Sequence, residues 1–550
     1  MTDLTVVAEQ SAKKDILDYF PLETPRSTQV KVIREIHKAF QSGKRIVILE
    51  APVGSGKSGI AITFTRFFED SHVITPRKSL QDQYFEDFSD DIVLMKGRNA
   101  YPCTYQSSQG EYKRIHDSVA LGYVKAPGRD VQSCNLAPCK NDSGVYNACT
   151  SDRNRVCPYT LAIDTAQKHH TIVHNIHSFI FQTNFAGKFE KRSLMVVDEA
   201  HEIEGVIRGF ITKKFSVGKP VPSNERPTFE TMDEWCDWFL QDQFIPAESA
   251  LEIAKKREDD TYSSQKDVYI TNVVNMRQSH EEYPTEFSVR SSSVLAGTKE
   301  VGTSFEFVPH SIGNAANNYL FDYGDKVLLM SGTIYDHDQY CRSIGVNPND
   351  AVSIRIPSSF PVANRPIYLK PDYQVDTSYA CWRENFSEMI KIIDRIQTIF
   401  KDAKGLIHAS SYDAANEIVM ATPGRRLVTH GRHDFQDKLE QFYASDKPLI
   451  FVSPVCQQGV DFKDDRARFQ IITRVPYLNT SDEFVEHKVK NDFNWYNYQA
   501  LIVFGQMLGR PVRSESDFGA TFLLDSRFNK FVSRNVKKIP QWVQKAFIWR

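Results

Sequence analysis

EAPVGSGKSG, from Glu50 to Gly59, is the stretch on which the fold turns. It matches G-x-G-K-[ST] at Gly54, Gly56, Lys57 and Ser58. An apolar run, RIVILEA (Arg45 to Ala51), leads into it, so a buried strand enters a glycine turn that opens a helix. That context lets backbone N–H groups approach phosphate oxygens at a helix N-terminus. Gly54, Ser55, Gly56, Lys57 and Ser58 are therefore expected to cradle a nucleoside triphosphate. Lys57 would reach the β- and γ-phosphates, and the Ser58 hydroxyl would ligate Mg²⁺. Pro52 stands where the longer P-loop pattern has its first glycine.

Working outward, apolar runs alternate with helical stretches. HVIT (His72 to Thr75), TIVHN (Thr171 to Asn175), LMVVDEA (Leu194 to Ala200) and KVLLMSG (Lys326 to Gly332) form one set. KGLIHAS (Lys404 to Ser410), LIFVSP (Leu449 to Pro454), FQIITRVPY (Phe469 to Tyr477) and TFLLDSRF (Thr521 to Phe528) form a second. Fully apolar strands separated by helices predict buried parallel sheets. Two sets predict an α/β chain with two doubly wound, parallel-sheet domains. The segments from about 101 to 159 and about 204 to 318 break the alternation and read as insertions into the first domain. The second of these reads as amphipathic helices with polar loops.

VVDEAHEIEG (Val196 to Gly205) puts two acids after a buried strand. Asp198 suits Mg²⁺ positioning and Glu199 suits activation of an attacking water. Together with the P-loop they make a two-part ATP site. Gln29, in PRSTQ, is a candidate reader of the adenine edge. Gln506, Arg510 and Arg513 recur at i, i+4 and i+7, so one helix face is expected to carry all three towards the transferring phosphoryl. Gly459 and Asp461, in CQQGVDF, follow another buried strand, where a ribose or a domain contact fits.

Nine cysteines occur in 550 residues, and five of them fall between Cys103 and Cys157. In a reducing compartment such clustering points to thiolate ligation. Four thiolates satisfy either a 4Fe–4S cluster or a structural zinc, and spacing alone does not separate them.

The 67 basic and 69 acidic side chains nearly balance, at a net charge of −2. That excludes a globally basic nucleic-acid binder but leaves room for a narrow basic channel. Thr75, Arg77, Lys96, Arg98 and Thr473, at or near strand ends, are candidate contacts to a single strand. No apolar run reaches the ~18–20 residues of a membrane span. The N-terminus lacks the layout of a signal peptide. A soluble, intracellular protein is expected, cytoplasmic in a bacterial, archaeal or phage setting in preference to nuclear.

The order of these motifs resembles superfamily 2 helicases, and more narrowly their XPD/DinG-type iron–sulfur branch. KGRNAYPC (Lys96 to Cys103) resembles that family's first cysteine box and CPYTLA (Cys157 to Ala162) its last. VITPRKSLQDQY, IVHNIHSFI, LMSGTI, SSFPVANRP and QMLGRPVRS lie in the family's order, and the likeness spans nearly the whole chain. It implies four parts. Motor domain 1 takes 1–100, 160–203 and 319–357, an iron–sulfur module 101–159, a mainly helical Arch-like insertion 204–318, and motor domain 2 358–550. It implies a 4Fe–4S cluster on Cys103, Cys139, Cys149 and Cys157, with Cys134 the alternative to Cys139 and zinc the lesser alternative to the cluster. It implies ATP-driven translocation on single-stranded DNA, 5′ to 3′, and unwinding of forked duplexes by a single chain, beside repair or replication proteins. An RNA or RNA–DNA hybrid helicase, or an ATP-switched bridging subunit, are the other readings of the same residues.

Overall fold

The computed structural model describes residues 14–104, 109–122, 133–134, 157–242, 261–282, 286–296, 299–422, 424, 426–457, 460, 462 and 464–549. Ten strands appear before residue 356: β1 (Ile46–Glu50), β2 (Ser71–Thr75), β3 (Val93–Met95), β4 (Thr171–Asn175), β5 (Arg192–Val197), β6 (Lys213–Val217), β7 (Phe287–Ala296), β8 (Lys299–Pro309), β9 (Gly324–Ser331) and β10 (Ala351–Arg355). Seven of them form a parallel sheet in the order β10-β1-β9-β5-β2-β4-β3. Strands β1 and β2 are buried along their whole length, the burial expected when helices cover both faces. One apolar cluster gathers Val47, Leu49, Val73, Val196 and Leu328 on one face. A second gathers Ile48, Ile74, Met195, Val197 and Leu329 on the other.

The register matters for function. Glu50 at the end of β1 pairs with Ser331 at the end of β9, and Val197 of β5 pairs with Leu329. The P-loop, the DEAH acids and the LMSGTI loop therefore leave the sheet at one edge, its carboxyl ends. That is where open parallel sheets bind ligands.

The second sheet is built from β11 (Ile367–Tyr368), β12 (Gly405–His408), β13 (Leu427–Thr429), β14 (Ile450–Ser453), β15 (Phe469–Ile472), β16 (Ala520–Leu523) and β17 (Phe547–Ile548). Its order is β13-β14-β12-β15-β16-β11-β17, again parallel. The two doubly wound sheets read from the sequence are thus both present.

The insertion holds helices at Met232–Asp242 and Thr261–Glu282. It also holds an antiparallel sheet, β6-β8-β7, that its pattern did not announce. Strand β7, FSVRSSSVLA, is polar and only half-buried along its length, so it lacks the alternation that marks a strand. Trp235, Phe239, Phe305 and Phe307 pack between helix and sheet with Trp238 against them, so the described aromatics of DEWCDWFLQDQFI go into a core, and Phe244 lies outside the described residues. Among the described residues no helix is long and apolar enough to cross a membrane.

Three histidines are locked into the sheets uncharged. Burial drives His72 down to about 3 and His408 down to about 4, and holds His174 far below its ordinary value. His72 and His174 share a contact of 3.2 Å between ring nitrogens, and His408 meets the Gln470 side-chain oxygen at 3.0 Å. The unfolded chain takes up these protons near pH 6.5 and the folded chain does not, so stability falls as pH drops below that value. One unit of separation is worth about 1.4 kcal/mol. At pH 5.5 each histidine is expected to withdraw roughly that amount relative to pH 7.5. Thermal midpoints at the two pH values check it: a midpoint that holds steady contradicts the burial of these charges.

Candidate functional site

The P-loop starts with backbone that only glycine takes easily. Gly54 and Gly56 have φ of 78° and 74°. A Cβ on Gly54 would lie 2.3 Å from the Phe360 ring, and one on Gly56 would lie 2.4 Å from Gln29 Nε2. Gly56 caps the helix Lys57–Phe67, whose first N–H groups have no partners within the helix. Lys57 Nζ makes one long contact of 3.3 Å to the Ala51 carbonyl. Arg26 donates to the Gly54 carbonyl at 2.7 Å, and Ser55 Oγ donates to the Pro52 carbonyl at 2.6 Å. These bonds brace the loop from behind and leave its phosphate-facing side to a ligand.

Asp198 and Glu199 follow β5 directly. Glu199 has φ of 50°, a left-handed conformation that costs a non-glycine residue about 1–2 kcal/mol. Strain of that size persists where the surroundings over-determine it, as functional loops do. Burial pushes the Asp198 carboxyl up to about 6, helped by Glu199 and opposed by Lys57. The protein's own cations thus under-compensate a buried acid, the condition a divalent cation relieves. Burial also pushes Glu199 up, but Lys57, His201, Arg510 and Arg77 outweigh it and hold the carboxyl below its ordinary value. Glu199 is therefore a carboxylate at neutral pH. Tyr84, buried on the helix Lys78–Phe88, donates from its hydroxyl to Asp198 Oδ2 at 3.2 Å and hydrogen-bonds Ser58. The two groups expected to hold Mg²⁺ are thereby linked by the tyrosine that closes VITPRKSLQDQY, a residue given no role of its own in the sequence.

The facing wall comes from the second sheet's domain. The helix Phe493–Leu508 carries Gln506, whose amide nitrogen meets His201 Nε2 in a short contact. The other His201 nitrogen bonds Ser331 Oγ at 2.8 Å, and Ser331 Oγ accepts the Thr333 N–H at 3.1 Å. The DEAH, LMSGTI and late-helix segments thus form one hydrogen-bonded chain across the cleft. Gly505 makes the approach possible, since a Cβ there would lie 2.6 Å from the Tyr335 hydroxyl.

Gln506, Arg510 and Arg513 do not share a helix face. The helix stops at Leu508, with Gly509 at its end and Pro511 beyond it, so both arginines lie in the following loop. They nevertheless line the same cleft as Lys57, Glu199 and Gln506, a cavity of about 490 Å³. Arg510 donates to the Val460 carbonyl at 2.6 Å, and its buried Nε has no partner among the described residues. Burial beside Arg513 lowers Arg510 to about 10, so it stays charged.

Other expected residues fall elsewhere. Gln29 spends its amide on the Arg26 N–H (2.8 Å) and the Ser55 carbonyl (3.3 Å), bracing the P-loop instead of facing a base. Thr75 and Thr473 are fully buried, and their hydroxyls donate to the His174 and His408 carbonyls. Lys96 is buried against Asp82 at 2.5 Å. Arg98 donates to the Cys134 carbonyl at 2.9 Å and lies over the Tyr159 ring. Those four side chains face inward. Arg77 lines the cleft and donates to Glu202 at 2.7 Å, while Lys78 beside it is exposed. Gly459 and Asp461 lie outside the described residues, as do Cys139 and Cys149. Sequence reading also passed over Glu50, a buried carboxylate that pairs with Arg355 (2.6 Å) and accepts the Tyr335 N–H (3.1 Å). Its only trace was an acid closing an apolar strand.

The remaining cysteines converge. Cys103, Cys134 and Cys157 all pack on the apolar cluster of Val93, Tyr101, Ala162 and Ile172. Cys134 is 1% exposed, and its sulfur lies 3.9 Å from that of Cys157. The Cys134 contact, then N–H groups at the start of the helix Pro158–Lys168, bring Cys157 down to about 6. The same contact and burial push the Cys134 thiol up. Two sulfurs this close, one of them with its thiol eased towards the thiolate, are a donor set suited to a thiolate-bound metal. Cys134, the alternative in the expected ligand set, thus lies beside Cys157 in the described part of the module.

Glu286, His310 and His487 also gather where the insertion meets the second domain. The two imidazoles stack at 3.4 Å and 16°, so their in-plane lone pairs run side by side and do not converge on an ion.

Residues 395–546 match the helicase C-terminal domain family, and residues 22–217 match the family described as type III restriction enzyme, res subunit. The chain is 24% identical over 292 residues to a regulator of telomere elongation helicase 1 homolog from Drosophila erecta, covering 46% of this chain and 29% of that one. It is 31% identical over 134 residues to a Fanconi anemia group J protein homolog from Gallus gallus, covering 20% and 11%. The chain thus spans less than a third of either relative. A solved structure titled XPD helicase superposes with a TM-score of 0.60 at 15% identity, over 96% of this chain and 100% of that one. The S. tokodaii Xpd4 structure gives 0.56 at 14%, over 96% and 100%.

Proposed function

We propose that the chain is an ATP-dependent DNA helicase of the XPD type in superfamily 2, one that moves along a single strand and opens forked duplexes, a reading supported by the helicase-family matches in both halves and the XPD-like fold. The observation that carries this reading is the cleft itself. Lys57, Glu199 and His201 from one RecA-like domain face Gln506, Arg510 and Arg513 from the other. A site split between two domains converts nucleotide state into relative motion, which is what a translocating motor needs.

The P-loop N–H groups and Lys57 bind the β- and γ-phosphates. Ser58 and Asp198 would hold Mg²⁺, which supplies charge neutralisation on the phosphate oxygens. Glu199 orients the attacking water and accepts its proton. Lys57 and Arg510 face the charge that develops on the transferring phosphoryl. His201 reports the result to Ser331 and Gln506. Closure then draws the second domain along the bound strand, 5′ to 3′ in keeping with the family. Lys78, exposed at the start of the helix after β2, is better placed for a strand phosphate than Arg77, which lines the nucleotide cleft and pairs with Glu202.

The cysteine module would hold a 4Fe–4S cluster on four of Cys103, Cys134, Cys139, Cys149 and Cys157, and the proximity of Cys103, Cys134 and Cys157 supports a place for Cys134 among them. The cluster would tie the module together as a wedge at the fork. Lys96, Tyr101 and Arg98 anchor it to the first domain. A forked duplex with one labelled strand tests the whole reading. Strand release that needs ATP and a 5′ single-stranded arm is expected. Release only from RNA-containing forks favours the RNA or hybrid reading, and ATP hydrolysis without release favours the bridging subunit.

A further inference from the structure

The helix Ile203–Ile211 begins two residues after His201 and buries two charged side chains, Glu204 and Arg208. Neither belongs to the ATP site. Glu204 accepts the Trp495 indole N–H at 2.7 Å and the Gln499 amide at 3.0 Å. Arg208 donates to Glu204 and to the Pro309 carbonyl in two short bonds, and its guanidinium lies 4.6 Å above the Phe484 ring.

Each partner belongs to a different part of the molecule. Trp495 and Gln499 lie on the helix Phe493–Leu508, which also carries Gln506 to His201. Pro309 ends β8, the inner strand of the insertion's sheet. Phe484 lies on the helix Glu483–Asn491, whose N-cap Asp482 pairs with Arg290 of β7 at 2.6 Å. The DEAH segment and the late helix are therefore fastened twice, at His201–Gln506 and at Glu204–Trp495/Gln499. From the second fastening Arg208 reaches the insertion.

We propose that Glu204 and Arg208 are positioning residues that couple closure of the nucleotide cleft to the β7–β8 hairpin of the insertion. A buried carboxylate with three donors and a buried guanidinium with two acceptors tolerate few arrangements, because breaking one bond leaves a charge uncompensated. A shift of the late helix at Gln506 thus cannot be absorbed locally. It moves Trp495 and Gln499, which reorient Glu204, Arg208 and the carbonyl at the end of β8. Bistable packing of this kind carries a small displacement at one site to a distant element.

The proposal rests on the cleft being a nucleotide site, and the test separates the two. Hydrogen–deuterium exchange of segment 286–309 is measured with and without a non-hydrolysable ATP analogue and Mg²⁺, in the full chain. In the wild type, analogue binding is expected to change exchange in that segment. In Glu204→Gln, which keeps the volume but removes the charge that holds Arg208, analogue affinity is expected to stay within about threefold while the response is lost. ATP hydrolysis stimulated by single-stranded DNA is expected to fall at least fivefold in kcat with the KM for ATP unchanged. Trp495→Phe removes the indole N–H that Glu204 accepts, with the nitrogen and two ring carbons, while leaving the Glu204–Arg208 pair charged, and should give a partial loss of the response; it keeps the test open where Glu204→Gln does not fold. A hairpin that responds equally in wild type and both variants overturns the coupling, as does a wild-type hairpin that ignores bound analogue. A wild type that binds no analogue overturns the nucleotide site, and the coupling with it.

Discussion

Glu199→Gln is expected to lower kcat for ATP hydrolysis by roughly 10²–10⁴-fold, the usual worth of a positioned general base, while nucleotide affinity stays close to that of the wild type. The amide cannot take the proton of the attacking water. It keeps the volume and sits in the same left-handed backbone position after β5. Lys57, His201 and Arg510 already hold the Glu199 carboxyl ionised against its burial, so the substitution removes a real negative charge. Arg510→Ala should be comparably damaging by a different route. An arginine delivered across a domain interface is worth about 10³–10⁵ in rate when it faces the transferring phosphoryl. Steady-state hydrolysis and fluorescent-analogue binding on the same preparations separate the two effects. Equal losses of binding and turnover in Glu199→Gln would show that the residue holds nucleotide and does not act on water.

If the proposed iron–sulfur cluster is bound, Cys134→Ser is expected to remove it outright. Protein purified without oxygen should lose its absorption near 400 nm and nearly all of its roughly four irons per chain. Cys103→Ser and Cys157→Ser should do the same. Of Cys139→Ser and Cys149→Ser, one should lose the cluster and the other keep it. The reason is geometric. Cys134 is buried, its N–H donates to the Tyr101 carbonyl at 2.7 Å, and its carbonyl accepts Arg98. Its sulfur is thereby aimed at Cys157 by backbone bonds that a serine would preserve. A Cys134→Ser protein that keeps full iron restores Cys134 to the role of spare. One tightly held zinc and no iron in the wild type replaces the cluster with a structural zinc site.

What sequence alone discloses here is what is local. The P-loop and the DEAH acids are short, spaced patterns set at strand ends, and the structure brings them to one sheet edge. Both parallel sheets are legible because their strands are apolar on both faces. The failures share one cause, which is that they depend on partners distant in the chain. Tyr84, Glu50 with Arg355, and Glu204 with Trp495 are ordinary residues until the fold brings them together. Thr75, Thr473 and Lys96 sit beside strand ends in the sequence, but their side chains turn into the protein. The Gln506–Arg510–Arg513 face fails for a local reason: a helical period was carried through Gly509 and Pro511, which end the helix. The family resemblance left Cys134 as the alternative to Cys139, and a family pattern does not report the burial that the fold gives Cys134.

We propose that a cleft between the two domains hydrolyses ATP under the control of a single DNA strand. The ATP turnover of the purified chain, titrated with single-stranded DNA and with an RNA strand of the same sequence, beside Lys57→Ala, tests this most directly. Turnover should rise at least about tenfold with DNA and vanish in Lys57→Ala. Turnover that ignores DNA, or that only RNA raises, would contradict it.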